Sequence, residues 1–189
     1  MKVLIACEYS GRVRDAFIKE GHNAISCDLL EGEGLHSPHK HYKGNVFDII
    51  NNNYDLLIAF PPCTHLCSSG ARWFPEKIAD GRQQEGIEFF LKLANCNIPR
   101  IAIENPVGIM STHYKKPTQY IQPWQFGHGE TKKTGLWLKG LNKLAPTDIV
   151  EGREARIHKL PPSKDRWKIR STTYEGIAHA MAQQWGTII

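Results

Sequence analysis

No stretch of this chain approaches the ~20 consecutive apolar residues that a membrane-crossing helix needs, so the sequence reads as a protein without a membrane span. Cysteine is scarce: there are five, an odd number with no framework spacing, which argues against a disulfide-stapled module and for a reducing compartment. The opening residues 1–8 carry one lysine and a short apolar run that meets Glu8, too little apolar length for a signal peptide. The expected location is therefore the cytoplasm of a cell, or of the bacterial host if a phage encodes the chain. Internal repeats and low-complexity tracts are absent. Acidic residues are outnumbered 19 to 24 by lysine and arginine, and the net charge of +5 permits a polyanionic partner without requiring one.

What is present fits one domain over residues 1–189, large enough to bury a core unaided. Apolar runs read as strands at 2–7, 24–27, 55–60, 100–104 and 134–138. Between them, helical periodicity predicts helices at 11–20 and 80–93, with a last helix at 176–185. Residues 46–50 read as a short helix or turn, and 31–44, holding Gly, His and Pro, as a loop. This alternation predicts an α/β fold, with a mostly parallel sheet, helices on both faces and right-handed crossovers.

Several of these strands end in groups able to do chemistry. The run Leu56–Phe60 drops into Pro61-Pro62-Cys63, placing a thiol just past the carboxyl end of a buried strand on a proline-stiffened loop. Ligands of open α/β sheets bind at that edge. The first strand leads into Glu8-Tyr9-Ser10-Gly11, and the second ends at Asp28, the spacing of a nucleotide-type cofactor site. One glycine stands where a dinucleotide fingerprint has three, which argues against a pyrophosphate and leaves room for a cofactor without phosphate, such as S-adenosylmethionine. An ordinary turn with a surface aspartate is an equally open reading. Cys63-x-His65-x-Cys67, with His36, His39 and His41 elsewhere, also raises a metal site; its spacing suits zinc poorly, and no metal is expected. Between Arg153 and Arg170 seven basic residues face two acidic ones, either a solvated surface loop or a phosphate-contacting segment with Trp167 available for stacking.

Taken in order, these motifs resemble the cytosine carbon-5 methyltransferase family, in a small form of the kind found in bacteriophages. Ala6-Cys7-Glu8-Tyr9-Ser10-Gly11 stands where the family has its glycine-rich first motif. Asp28 stands at its ribose-binding acid, and Gly44-Asn45-Val46 at its adenine-contacting segment. Pro61-Pro62-Cys63 is similar to the nucleophile motif, and Ile103-Glu104-Asn105-Pro106 to the Glu-Asn-Val motif. Lys132-Lys133-Thr134 stands where the family has an arginine-bearing pattern, and Gly176-Ile177-Ala178-His179 lies in a final helix like the family's own. The chain departs from the family in its glycine-poor first motif, in lysines replacing arginines, and in the interval before the last helix. Family members that methylate DNA carry a target-recognition domain there; this chain has only a basic loop, 145–172.

The resemblance implies a Rossmann-like, S-adenosylmethionine-dependent methyltransferase fold and a covalent chemistry. Cys63 would add to cytosine carbon 6, its thiol needing a lowered pKa. Glu104 would hold or donate a proton at ring N3. Asn105 would fix the backbone around Glu104, and Lys133, with Lys132 as second choice, would hold the loop and base electrostatically. The cofactor would lie against Glu8, Tyr9, Ser10, Gly11, Asp28, Asn45 and Pro61. Arg153, Arg156, Lys164, Arg166, Lys168 and Arg170 would contact nucleic acid. The expected substrate is cytosine in DNA, with a protein partner able to supply target recognition. A free cytidine nucleotide or RNA is the alternative, as is a catalytically silent nucleic-acid-binding protein of the same fold.

Overall fold

The computed structural model describes residues 1–187. Its strands are β1 (Lys2–Ala6), β2 (Asn23–Asp28), β3 (His41–Lys43), β4 (Leu56–Ala59), β5 (Arg100–Pro106), β6 (Gln119–Ile121) and β7 (Thr134–Lys139). Its helices are α1 (Arg12–Lys19), α2 (Ser37–Lys40), α3 (Phe74–Ala79), α4 (Arg82–Ala94), α5 (Met110–His113), α6 (Arg156–Lys159), α7 (Arg166–Ser171) and α8 (Glu175–Gly186). The strands form one sheet in the order β3-β2-β1-β4-β5-β7-β6. β1 to β5 are mutually parallel, while β7 runs antiparallel to both β5 and β6.

Continuous apolar strands demand cover on both faces, because successive side chains point to opposite sides. Val3 and Ile5 of β1, Leu56 and Ile58 of β4 and Leu136 of β7 pack on one side against Val13 and Phe17 of α1 and Met181 and Trp185 of α8. Leu4, Leu57, Ile101 and Trp137 pack on the other against Ile87, Phe90 and Leu93 of α4. This is the expected Rossmann-like architecture, a mostly parallel sheet with helices on both faces. The strand order reverses between β1 and β4, so the crevice at their carboxyl ends is the ligand-binding position of such sheets.

One expectation needs correction, and one strand went unpredicted. The 31–44 segment, read as a loop, contains α2 and β3, and β6 lies in 106–133. Both strands are three residues long and lie at the sheet edges. His41-Tyr42-Lys43 carries no apolar alternation to announce it. It is held by the ladder to β2 and by a 2.8 Å contact between the Ser26 hydroxyl and His41 Nδ1. No helix among the described residues is long and apolar enough to cross a membrane.

Candidate active site

Just past β1, Cys7 has a φ of 58° that turns the chain sharply. Gly11, at the start of α1, has no side chain to cap that helix. The buried Glu8 carboxylate does so, accepting from the Val13 amide at 2.7 Å and the Arg14 amide at 3.3 Å, with the Ser10 hydroxyl at 3.4 Å. Burial pushes the Glu8 carboxyl up to about 7 against those hydrogen bonds. Glu8 is therefore engaged with the amino terminus of α1. A Cβ at Gly11 would overlap the Arg14 guanidinium and the Glu33 carbonyl, so this glycine serves the packing of the 31–36 segment. Tyr9 is buried too, its hydroxyl donating to the Lys168 carbonyl at 3.1 Å and its ring 5.7 Å from Trp167.

Asp28 ends β2, with Oδ1 accepting from the Leu30 amide at 3.0 Å. Asn45 is exposed on the neighbouring edge and caps a 3-10 turn through its side-chain oxygen. Pro61 is buried beyond β4. These residues lie along the carboxyl edge of β2, β3 and β4.

The half-buried Cys63 follows that proline. Glu104 sits near the carboxyl end of β5, the strand beside β4. A narrow cleft is lined by Phe60, Glu104, Lys132, Thr134, Tyr174 and Ile177. Cys63 lies close enough for the charges of Glu104 and Lys132 to act on its thiol. Burial, then Cys67 and Glu104, push that thiol up, and Lys132 offsets them only in part. The lowered thiol pKa expected from sequence is thus not what the resting site provides: desolvation, to which Cys67 and Glu104 add, outweighs the one nearby cation. Burial likewise raises the Glu104 carboxyl, opposed by Lys132 and a hydrogen bond from Thr134.

Asn105 is buried and donates from Nδ2 to the Pro61 carbonyl at 2.8 Å. It therefore ties β5 to the loop carrying Cys63, where the sequence reading assigned it to the backbone around Glu104. The two lysines are placed differently. Lys133 is exposed, its ammonium 4.4 Å over the Tyr120 ring. Lys132 is half-buried in the cleft and donates to the Arg170 carbonyl at 2.7 Å. Strand periodicity carried this signal: Lys132, Thr134 and Leu136 share one face, and Leu136 pairs with Glu104 across the sheet. Of the cleft residues, Tyr174 was not singled out from sequence, and Phe60 and Thr134 were named only as a strand end and a motif member.

The basic segment is docked on the body of the protein. Arg153 lies 3.6 Å over the Trp124 ring, Arg156 pairs with Glu130 at 2.7 Å, and Lys168 pairs with Glu33. Arg166 is half-buried with its Nε unpartnered, Arg170 is half-buried, and Lys164 is exposed. Around α7, Arg12 donates to the Thr173 carbonyl at 3.2 Å, so residues 168–173 form a strap between the β1 turn and Lys132. Among the described residues no group of three His, Cys, Asp or Glu is placed to hold a metal ion.

The donor set fits a cofactor without phosphate. Glu8 already fills the α1 amino terminus, where a pyrophosphate would otherwise bind, while Asp28 and Asn45 remain along the crevice.

No family model and no curated protein matches the sequence. Among solved structures, the methyltransferase EhMeth of Entamoeba histolytica is similar, with a TM-score of 0.51 at 13% identity. The match covers 79% of this chain but 57% of that protein, so this chain spans little more than half its length. The chain shares a methyltransferase-like fold.

Proposed function

We propose that this protein transfers a methyl group from S-adenosylmethionine to carbon 5 of cytosine in DNA, through a covalent adduct on Cys63. The observation that supports it most is that Glu104 of β5 and Lys132 before β7 line one cleft beside the switch point, and both act electrostatically on Cys63, which follows the adjacent parallel strand β4. Asp28 and Asn45, with the Tyr9-Ser10 turn, would hold the cofactor, which supplies an electrophilic methyl group when bound. Glu104, its carboxyl raised by burial, carries the proton that ring N3 needs as sulfur adds to carbon 6. Protonated, it no longer repels the developing Cys63 thiolate. The thiol proton passes to solvent, and Lys132 then faces the thiolate as a fixed cation; after methyl transfer, water takes the carbon-5 proton and the carbon 6–sulfur bond breaks, restoring the thiolate. Asn105 keeps the Pro61 turn, and so the sulfur, in register with β5.

A second reading, the same chemistry on a free cytidine nucleotide or RNA, draws support from the strap. Residues 168–173 are packed against the β1 turn and Lys132, and the cleft beneath is narrow. A single flexible base enters such a site without the few kcal/mol needed to leave a duplex stack. The test is transfer of labelled methyl from S-adenosylmethionine to duplex DNA, single-stranded DNA, RNA and deoxycytidylate. Label reaches a cytosine-containing substrate and is lost on Cys63→Ser; full turnover by Cys63→Ser contradicts the covalent route.

A further inference from the structure

The residues after Cys63 are held by partners that the proposed chemistry does not use. Lys77 of α3 is only 8% exposed, and its ammonium donates to the Thr64 carbonyl at 2.6 Å. Among the described residues no carboxylate pairs with it, because its neighbours Glu76 and Asp80 are both bound by Arg82. Burying an ammonium without a counter-ion is unfavourable, and this one is spent on a single loop carbonyl. Gln83 of α4, also buried, donates from Nε2 to the His65 carbonyl at 3.2 Å. From the other side the Ile109 amide donates to the Leu66 carbonyl and the Ser68 amide to the Val107 carbonyl, both at 3.0 Å. A Cβ at Gly108 would overlap the Leu66 carbonyl, so glycine permits this approach. Three successive carbonyls thus receive donors from three different parts of the chain. The Cys67 amide closes the turn onto the Cys63 carbonyl at 2.9 Å.

We propose that Lys77 and Gln83 are positioning residues that set where the Cys63 sulfur stands, by clamping the Thr64 and His65 carbonyls behind it. This rests on the reading of Cys63 as nucleophile. A loop anchored at consecutive carbonyls does not swing onto its target; the pyrimidine comes to the sulfur. The charged and titratable groups that act on the thiol are Cys67 in its own turn, Glu104 of β5 and Lys132 before β7. Lys77 is not among them, so its effect runs through the backbone.

The test uses Lys77→Met and Gln83→Leu, with iodoacetamide alkylation of each cysteine followed by mass spectrometry across pH. A second arm follows covalent capture by a 5-fluorodeoxycytidine oligonucleotide with S-adenosylmethionine. In both variants Cys63 reacts several-fold faster, at a lower apparent pKa, because the released loop hydrates the thiol, while capture falls about 10-fold or more. Cys27, buried beside β1, stays protected. An unchanged Cys63 rate and pH profile in both variants overturns the proposal. Loss of Cys27 protection in both also overturns it, since the two side chains would then hold the whole fold; if only Lys77→Met loses it, Gln83→Leu decides. Failure of the wild type to capture any cytosine substrate refutes the methyltransferase reading, and the alkylation arm still decides the clamp.

Discussion

At the scale of single residues, two carboxyl groups carry the pH behaviour. Burial raises the Glu104 carboxyl, and its ionised form raises the Cys63 thiol. Replacing Glu104 by Gln removes that anion, so the Cys63 thiol titrates at lower pH; alkylation rate against pH measures the shift. The same substitution removes the proton donor, and methyl transfer falls by about 100-fold or more. Glu8 acts on stability. Its carboxyl stands near 7 in the fold against an ordinary 4.5, so the folded state holds a proton that the unfolded state releases. Its contribution is complete below about 4.5 and is lost as pH rises to about 7, a difference of up to roughly 3 kcal/mol. Glu8→Gln keeps an acceptor for the Val13 amide and removes this ionisation. Thermal melts of Glu8→Gln therefore show a flatter stability profile between pH 4.5 and 7 than the wild type; an identical slope contradicts the assignment.

At the scale of elements, legibility followed burial. β1, β4 and β5 are apolar on both faces and were read from sequence to within two residues at either end, as were α1 and α4. β3 and β6 were missed because three-residue edge strands are specified by their neighbours' ladders and not by their own side chains. The last helix was found, and the reason for its Gly176 lies in the contact. A Cβ at Gly176 would overlap the Phe126 carbonyl oxygen. Helix propensity alone gives Gly176→Ala a gain of up to about 1 kcal/mol. Overpacking against backbone costs about 1–3 kcal/mol and wins. Chemical denaturation therefore shows Gly176→Ala destabilised; a stabilised variant would mean that α8 can shift away from the 126–128 turn. Position was legible where a candidate residue sits at a strand end, as Cys63 does after β4 and Glu104 near the end of β5. It was ambiguous where facing decides, as between Lys132 and Lys133, because the sequence reading did not carry strand alternation back past Thr134.

At the scale of the whole molecule, the basic segment changes meaning. Read along the chain, residues 153–170 are a run of positive charge. Folded, Arg153, Arg156 and Lys168 are engaged by Trp124, Glu130 and Glu33, and the segment straps the crevice. Those partners are distant in sequence, which is why composition could not reveal them. Arg153, Arg156 and Lys159 also line a surface groove. The sheet brings the Cys63 sulfur, after β4, within electrostatic reach of the Glu104 carboxyl of β5, and the functional account depends on that placement. Its most direct test is covalent capture of the wild-type protein by a 5-fluorocytosine substrate in the presence of S-adenosylmethionine. The account predicts a denaturant-stable complex whose modified peptide maps to Cys63 and which Cys63→Ser cannot form. A protein that methylates cytosine while forming no such complex, or whose complex maps to another residue, would contradict it.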